Sequence, residues 1–175
     1  PSGDIIAAGC EDGTVQLIDV ATAEVTRALS IDAGFGGMHS VSFSPSGDMV
    51  AAGCSNGKIF FVDPTAGEIK SSLNVDSAVL SVAYSPDGTK LTAGLGYPSN
   101  SVVVFDTQTN EQICSLNVDG ESVSIAGEVE SVHWSPCGTN IAAVCNDWNT
   151  EHYYVKILNS ETGALLCALR GHGRK

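Results

Sequence analysis

The chain alternates between short apolar segments and clusters of turn-forming residues. The apolar segments are rich in Val, Ile, Phe and Tyr, and they alternate with polar residues or run apolar over roughly four to eight positions. This pattern is typical of β-strands, because successive side chains of a strand point to opposite sides of the sheet. A clear set of four predicted strands covers residues 79–85, 89–94, 101–106 and 111–117. No stretch has helical periodicity, so the sequence predicts an all-β fold.

A turn motif, Ser-Pro-x-Gly, recurs along the chain and sets its period. It occupies residues 44–47, 85–88 and 135–138, and Pro1 begins a truncated copy. The prolines lie 44, 41 and 50 residues apart. Proline and glycine suit a tight reversal, because proline fixes φ and glycine accepts a positive φ. A second marker with a similar period is an apolar residue followed by Asp19, Asp63, Asp106 or Asn159.

A period of about 40–45 residues with four antiparallel strands indicates a blade of a β-propeller. We therefore predict an arc of about four four-stranded blades, of which the first lacks its inner strand. The predicted blades cover approximately residues 1–30, 39–74, 79–117 and 129–170, and residues 171–175 begin a further repeat. Propellers have roughly four to eight whole blades. We therefore expect the remaining blades of a longer parent chain to pack against this arc.

The same segments resemble a known family. Residues 79–88, Val-Leu-Ser-Val-Ala-Tyr-Ser-Pro-Asp-Gly, and residues 6–19 resemble WD repeats, and Gly171 with His172 resembles the Gly-His that opens such a repeat. The resemblance extends over essentially the whole chain. It implies a seven-bladed propeller that acts as a non-catalytic scaffold and binds other proteins.

The repeats depart from the family pattern at the tryptophan of the Trp-Asp dipeptide. The residues in its place are Ile18, Val62, Phe105 and Leu158. By resemblance, structural roles fall to the polar repeat positions Asp12, Asn56, Asp19, Asp63, Asp106, Asn159 and His172. Residues 102–110 also resemble the repeats of bacterial surface and quinoprotein-like propellers, although the Tyr-Val-Thr-Asn motif of that group is absent.

Segment lengths vary on one face of the predicted arc. In a propeller, the connection from an outermost strand to the next inner strand and the turn between the second and third strands lie on one face, which we call the loop face. The remaining turns form the opposite face, which we call the turn face. The separation from each Ser-Pro-x-Gly proline to the following Asp or Asn of the second marker ranges from 18 to 23 residues. The separation from that Asp to the next such proline ranges from 23 to 30 residues.

Insertions on a repeat scaffold collect where it binds its partners. We therefore predict a protein-binding site on the loop face, where aromatic residues are favoured anchors and carboxylates suit a basic partner. The candidate residues are Phe35, Tyr97, Asp119, Glu121, Glu128, Trp148 and Glu151.

The net charge of the chain indicates which classes of partner it does not bind. The chain has 20 acidic and 8 basic residues and a formal charge of −12. This charge repels phosphate backbones and anionic membrane surfaces, so we expect neither nucleic acid nor membrane as a partner. No apolar run approaches the roughly 18 residues of a spanning helix.

The six cysteines fit the repeat better than a metal site, since no Cys-x-x-Cys occurs. Equivalent positions in different blades are too far apart for a disulfide, so we predict buried free thiols and an intracellular, reducing compartment, the cytoplasm or nucleus. No nucleophile elbow, phosphate-binding loop or His-Glu-x-x-His pair is present. We expect no catalytic residues, metal or cofactor.

Two alternatives to the scaffold remain open at this point. One is an enzyme or small-ligand propeller of the quinoprotein or lactonase kind, with its ligands at the channel mouth. The other is a larger multidomain protein whose activity lies outside this arc.

Overall fold

The structure is a computed structural model, and it describes residues 1–99, 101–117, 127–148 and 151–173. Over these residues the chain forms fifteen β-strands and no helix, so the predicted all-β fold is confirmed. The strands are β1 Ile5–Gly9, β2 Thr14–Asp19, β3 Val25–Ser30, β4 Met38–Phe43, β5 Val50–Cys54, β6 Lys58–Asp63, β7 Glu68–Asn74, β8 Val79–Tyr84, β9 Lys90–Leu95, β10 Ser101–Asp106, β11 Gln112–Asn117, β12 Val129–Trp134, β13 Asn140–Asp147, β14 His152–Asn159 and β15 Leu165–Gly173. In the described residues no helix is long and apolar enough to cross a membrane.

The strands form four antiparallel sheets in which neighbours in sequence are neighbours in space. The first sheet has three strands, β1 to β3, and the others have four each, β4 to β7, β8 to β11 and β12 to β15. Strand β4 packs beside β8, and β8 beside β12. These are the inner strands of three successive blades. The predicted arc of antiparallel blades, with three strands in the first, is therefore confirmed.

Successive blades pack face to face through apolar side chains. Leu17 of the first blade and Val50 of the second belong to one buried cluster, and Phe61 of the second blade and Leu91 of the third belong to another. The third and fourth blades are joined by a cluster that contains Ile141. Each cluster is formed by side chains that alternate along strands of adjacent sheets, which is why the alternating pattern encodes the blade interfaces.

A recurring glycine shows how closely adjacent blades approach. A Cβ on Gly53 would lie 2.6 Å from Val79 Cγ1, and one on Gly94 would lie 2.8 Å from the carbonyl oxygen of Val129. Only a hydrogen atom fits in this space. In the fourth blade the strand position of Gly53 and Gly94 is occupied by Val144. The described residues form no further blade that would pack against Val144. The inner strand of the following blade therefore determines which residue fits.

Serine hydroxyls join the inner strands of adjacent blades. Three backbone N–H groups donate to them, Val82 to Ser40 Oγ at 3.1 Å, Tyr84 to Ser42 Oγ at 3.3 Å and Val132 to Ser81 Oγ at 3.1 Å. Trp134 Nε1–H donates instead to the carbonyl oxygen of Ala83, at 3.2 Å. An inner strand is a sheet edge with unpaired backbone groups, so these bonds satisfy donors that the sheet itself leaves free.

The last strand, β15, is longer than the other outer strands. It extends to Gly173 and pairs there with His152, and the expectation that residues 171–175 begin a further repeat stays a prediction. Gly171 and His172 therefore lie in the outer strand of the fourth blade. The cause is the length of β14, whose early residues offer backbone partners that the shorter third strands of the other blades lack.

Candidate functional site

Hydrogen bonds place both kinds of loop-face segment at one end of the arc. Ile31 N–H donates to the carbonyl oxygen of Gly13, and Val75 N–H to that of Gly57, both at 2.8 Å. Each bond joins a connection between blades to the turn between the second and third strands of the preceding blade. The two kinds of segment therefore form one continuous surface.

On this surface two aromatic side chains from adjacent blades are in contact. Tyr97 follows β9 in the third blade, and Trp148 follows β13 in the fourth. Their ring centroids are 5.8 Å apart and the rings are tilted by 38°. Tyr97 is 64% exposed and Trp148 48% exposed. Because the two residues occupy the same turn of successive repeats, the repeat geometry itself brings the rings together.

The aromatic pair separates two shallow hollows. Tyr97 lines one of about 360 Å³, which also includes Ser55 and Asp76. Trp148 lines the other, of about 230 Å³, together with Glu151 and Tyr153. The loop face therefore has two exposed aromatic rings with a hollow beside each ring. Such a surface can accept side chains of another polypeptide.

Asn146 fixes the chain that enters the fourth blade beside this pair. Its Oδ1 accepts from Glu128 N–H at 2.6 Å, and its Nδ2–H donates to Glu130 Oε1 at 2.8 Å. The half-buried carboxylate of Glu128 lies beside Gly96, since its Oε1 is 3.2 Å from where a Cβ of Gly96 would stand. A carboxylate is thus held next to the residue that precedes Tyr97.

The other predicted loop-face residues are placed differently. Phe35 is fully exposed in the connection between the first and second blades, whereas the aromatic pair belongs to the third and fourth. Glu151 is exposed beside Trp148 with a φ of 54°. Asp119 and Glu121 lie outside the residues that the structure describes. Of the predicted set, the structure therefore groups Tyr97, Glu128, Trp148 and Glu151.

The polar repeat positions cap turns. Asp12 accepts from the backbone N–H of Thr14 at 2.9 Å, and Asn56 Oδ1 accepts from that of Lys58 at 3.2 Å. After each third strand, a side-chain oxygen accepts two or more hydrogen bonds from the turn that follows. These residues are Asp19, Asp63, Asp106 and Asn159. His172 lies in the strand β15.

These bonds favour the charged form of the aspartates. The backbone N–H of Thr22 lowers the pKa of Asp19, that of Ala66 lowers the pKa of Asp63, and that of Thr109 lowers the pKa of Asp106. A donor that points at a carboxylate stabilises its anion more than its acid.

One cysteine takes the place of such an aspartate on the turn face. In the third blade, Asp87 accepts from the Ser85 hydroxyl at 2.6 Å and from Thr89 N–H at 3.0 Å. In the fourth blade Cys137 stands there, with its Sγ 3.3 Å from Ser135 Oγ and 3.0 Å from Thr139 Oγ1. These hydroxyls lower the pKa of Cys137 to about 7. The turn therefore stabilises a thiolate as it does a carboxylate.

The cysteines are free, as the spacing predicts, but their burial differs from the prediction. Cys54 and Cys145 are buried, Cys10 and Cys114 are half-buried, and Cys137 and Cys167 are exposed. Cys137 is exposed because it lies in a turn, and Cys167 because it lies in the outermost strand β15. Sequence reasoning assigned burial from the repeat positions without separating turns and outer strands from the packed strands.

In the part of the chain that the structure describes, no group of three or more His, Cys, Asp and Glu side chains is arranged to hold a metal ion.

The family model described as "WD domain, G-beta repeat" matches residues 30–63 and 67–106. These two segments are therefore similar to WD40 repeats. The first begins at the last residue of the outer strand β3 and the second in the turn before the outer strand β7. They end at Asp63 and Asp106, the last residues of the third strands β6 and β10. The WD40 repeat unit therefore bridges two blades, and the predicted resemblance to WD-repeat proteins is confirmed.

A search of curated proteins gave no match to this chain. Among solved structures, hydrazine synthase from Kuenenia stuttgartiensis is similar over 98% of the chain, with a TM-score of 0.86 and 17% sequence identity. The chain spans 47% of the length of that structure. At this identity the likeness shows a shared fold alone.

Proposed function

We propose that the protein is a non-catalytic scaffold whose loop face binds another protein. The observation that carries this proposal is the contact between two exposed aromatic rings, Tyr97 and Trp148, supplied by the same turn of adjacent blades. Large aromatic side chains supply much of the binding energy in protein interfaces, above all near the centre of the contact. WD40 repeats and the varied lengths of the loop-face segments agree with this role.

The charge of the chain indicates the kind of partner. The formal charge is −12, and the carboxylates of Asp76, Glu128 and Glu151 lie around the aromatic pair. A basic surface on the partner therefore complements this face, which raises the association rate and disfavours acidic partners.

Small-ligand binding is the second candidate function, and a cleft on the turn face favours it. This cleft has a volume of about 540 Å³, lies between the third and fourth blades, and is lined by Lys90, Trp134 and Cys137 among others. Its size falls within the roughly 300–1,000 Å³ of typical ligand sites.

The two functions are separated by capture of partners from the protein's own cell extract, followed by mass spectrometry. We expect Trp148→Ala and Tyr97→Ala in the full-length protein to reduce recovery of a specific partner by about tenfold or more, as loss of an interface hot spot does. Ile113→Ala is the matched control, since it removes a side chain that is 48% exposed, as Trp148 is, from the outer strand β11 and away from the loop face, and it should leave recovery unchanged.

Stability must be measured beside capture. Both ring variants should keep the thermal unfolding midpoint of the parent, because the rings are exposed. If every specific partner is retained by both ring variants, the loop-face assignment is wrong, and the turn-face cleft becomes the candidate site.

A further inference from the structure

The surroundings of the aromatic pair indicate which side chain it binds. Glu128 Oε1 lies beside Gly96, which precedes Tyr97, and Glu151 lines the hollow beside Trp148. The rings themselves are exposed and accessible. Carboxylates are thus available at both rings.

Two of the described cations near this face, Lys58 and Arg170, contact other side chains. Lys58 Nζ is 4.0 Å from the carboxylate of Asp32 in the second blade, and the Arg170 guanidinium contacts His152. Among the described residues no cation forms an ion pair with Glu128 or Glu151, so their carboxylates are available to a cation of the partner.

Two interactions combine in such a setting. The face of an aromatic ring attracts a cation because its electron density is concentrated there, and tryptophan attracts it most strongly. A guanidinium group is planar, so it stacks on a ring while its edge donates two hydrogen bonds to a carboxylate. An ammonium group is attracted to the ring but lacks the planar stack and the paired donors.

We propose that Tyr97, Trp148, Glu128 and Glu151 receive an arginine side chain from an extended segment of the partner protein. The inference rests on the proposed function, of which it specifies the partner's chemistry. The segment is extended because hollows of about 360 Å³ and 230 Å³ lie on the two sides of the pair. Alternate residues that flank the arginine have room in these recesses, as in other extended-peptide sites.

The test titrates the full-length protein with the peptide acetyl-Gly-Ser-Arg-Ser-Gly-amide. The signal of the Trp148 indole N–H is followed by NMR, and Trp134 provides an internal reference because its Nε1–H is bonded to Ala83. Two further peptides replace arginine by citrulline, which has the same shape without charge, or by lysine. We expect the arginine peptide to shift the Trp148 signal and to bind about tenfold more tightly than the citrulline peptide, with lysine between them.

Variants test the individual groups by calorimetric titration with the arginine peptide. Trp148→Leu and Glu151→Gln should each weaken binding by about fivefold. Ile113→Ala in the outer strand β11 and Glu161→Gln on the turn face are the matched controls, and both should bind as the parent does. Equal binding of arginine and citrulline peptides, or weakening in the controls as large as in the site variants, overturns the proposal.

The outcome also separates this inference from the proposed function. A protein captured through Trp148 whose binding survives replacement of its arginines overturns the arginine site and leaves the scaffold function standing. Binding of the arginine peptide without any loop-dependent protein partner overturns the scaffold function and leaves the arginine site standing.

Discussion

The turn face and the loop face differ in where their side chains make contacts. On the turn face, Asp87 and Asp106 bond to hydroxyl or backbone groups two or three residues away. On the loop face, the rings of Tyr97 and Trp148 touch each other and leave much of their surface exposed. Turns that are satisfied locally hold each blade in shape regardless of what lies at the other end. The loop face is therefore free to vary, and there a binding surface can develop.

The sharpest test of this contrast compares two serines. Ser85 on the turn face is buried, and its hydroxyl donates to Asp87 and accepts from Lys90 N–H at 2.9 Å. We expect Ser85→Ala to lower the free energy of unfolding by about 1–3 kcal/mol, because the half-buried backbone N–H of Lys90 loses its partner. Ser55→Ala on the loop face, where the serine is half-buried and bonds to the carbonyl oxygen of Gly37, should cost less than about 1 kcal/mol.

Urea denaturation of both variants measures the difference. Equal losses would show that the loop face contributes to stability as much as the turn face does.

A smaller effect is expected at Cys137, where the turn face stabilises an anion. With its pKa lowered to about 7 by the hydroxyls of Ser135 and Thr139, this thiol should react with iodoacetamide along a pH profile centred near 7. Thr139→Val should move that profile to higher pH and slow the reaction at pH 7 by about two- to threefold, since a weaker thiolate population is partly offset by greater nucleophilicity. Peptide mass spectrometry gives the rate at each cysteine. A profile that Thr139→Val leaves in place would contradict the role of the hydroxyls.

The smallest effect concerns acid. The turn that follows Asp106 lowers its pKa from an ordinary value of 3.8. A carboxyl whose pKa is lower in the folded state stabilises the fold above its ordinary pKa, and that contribution is lost as the pH falls through the lowered value. We therefore expect Asp106→Asn to flatten the loss of stability below about pH 4, by a small amount because the group is exposed.

The fourth blade supplies the reciprocal variant for this test. Asn159 caps the equivalent turn without titrating, so Asn159→Asp should steepen the acid dependence. Denaturation midpoints between pH 2 and 6 provide the measurement. If the denaturation midpoint falls with pH at the same rate in the parent and in both variants, these turns do not contribute to the loss of stability in acid.

Strand periodicity and turn hydrogen bonds each span only a few residues, so the sequence alone predicts much of the fold. The predicted strand at residues 101–106 matches β10, and the Ser-Pro-x-Gly turns lie between first and second strands as expected. Asp87 and Cys137 bond within two residues of themselves. The lowered pKa of Cys137 could therefore be predicted from the local sequence, because this cysteine stands where the turn of the third blade has Asp87.

The sequence by itself determined the number of strands in each blade, the turns between them and the identity of the varied face, because each depends on local periodicity. Tertiary structure decided the rest. The contact of Tyr97 with Trp148 joins residues far apart in the chain, and the need for glycine at Gly94 comes from the carbonyl of Val129 in the next blade. The extension of β15 depends on the free edge of β14. Such features arise from how neighbouring sheets approach one another, and a one-dimensional pattern does not specify that distance.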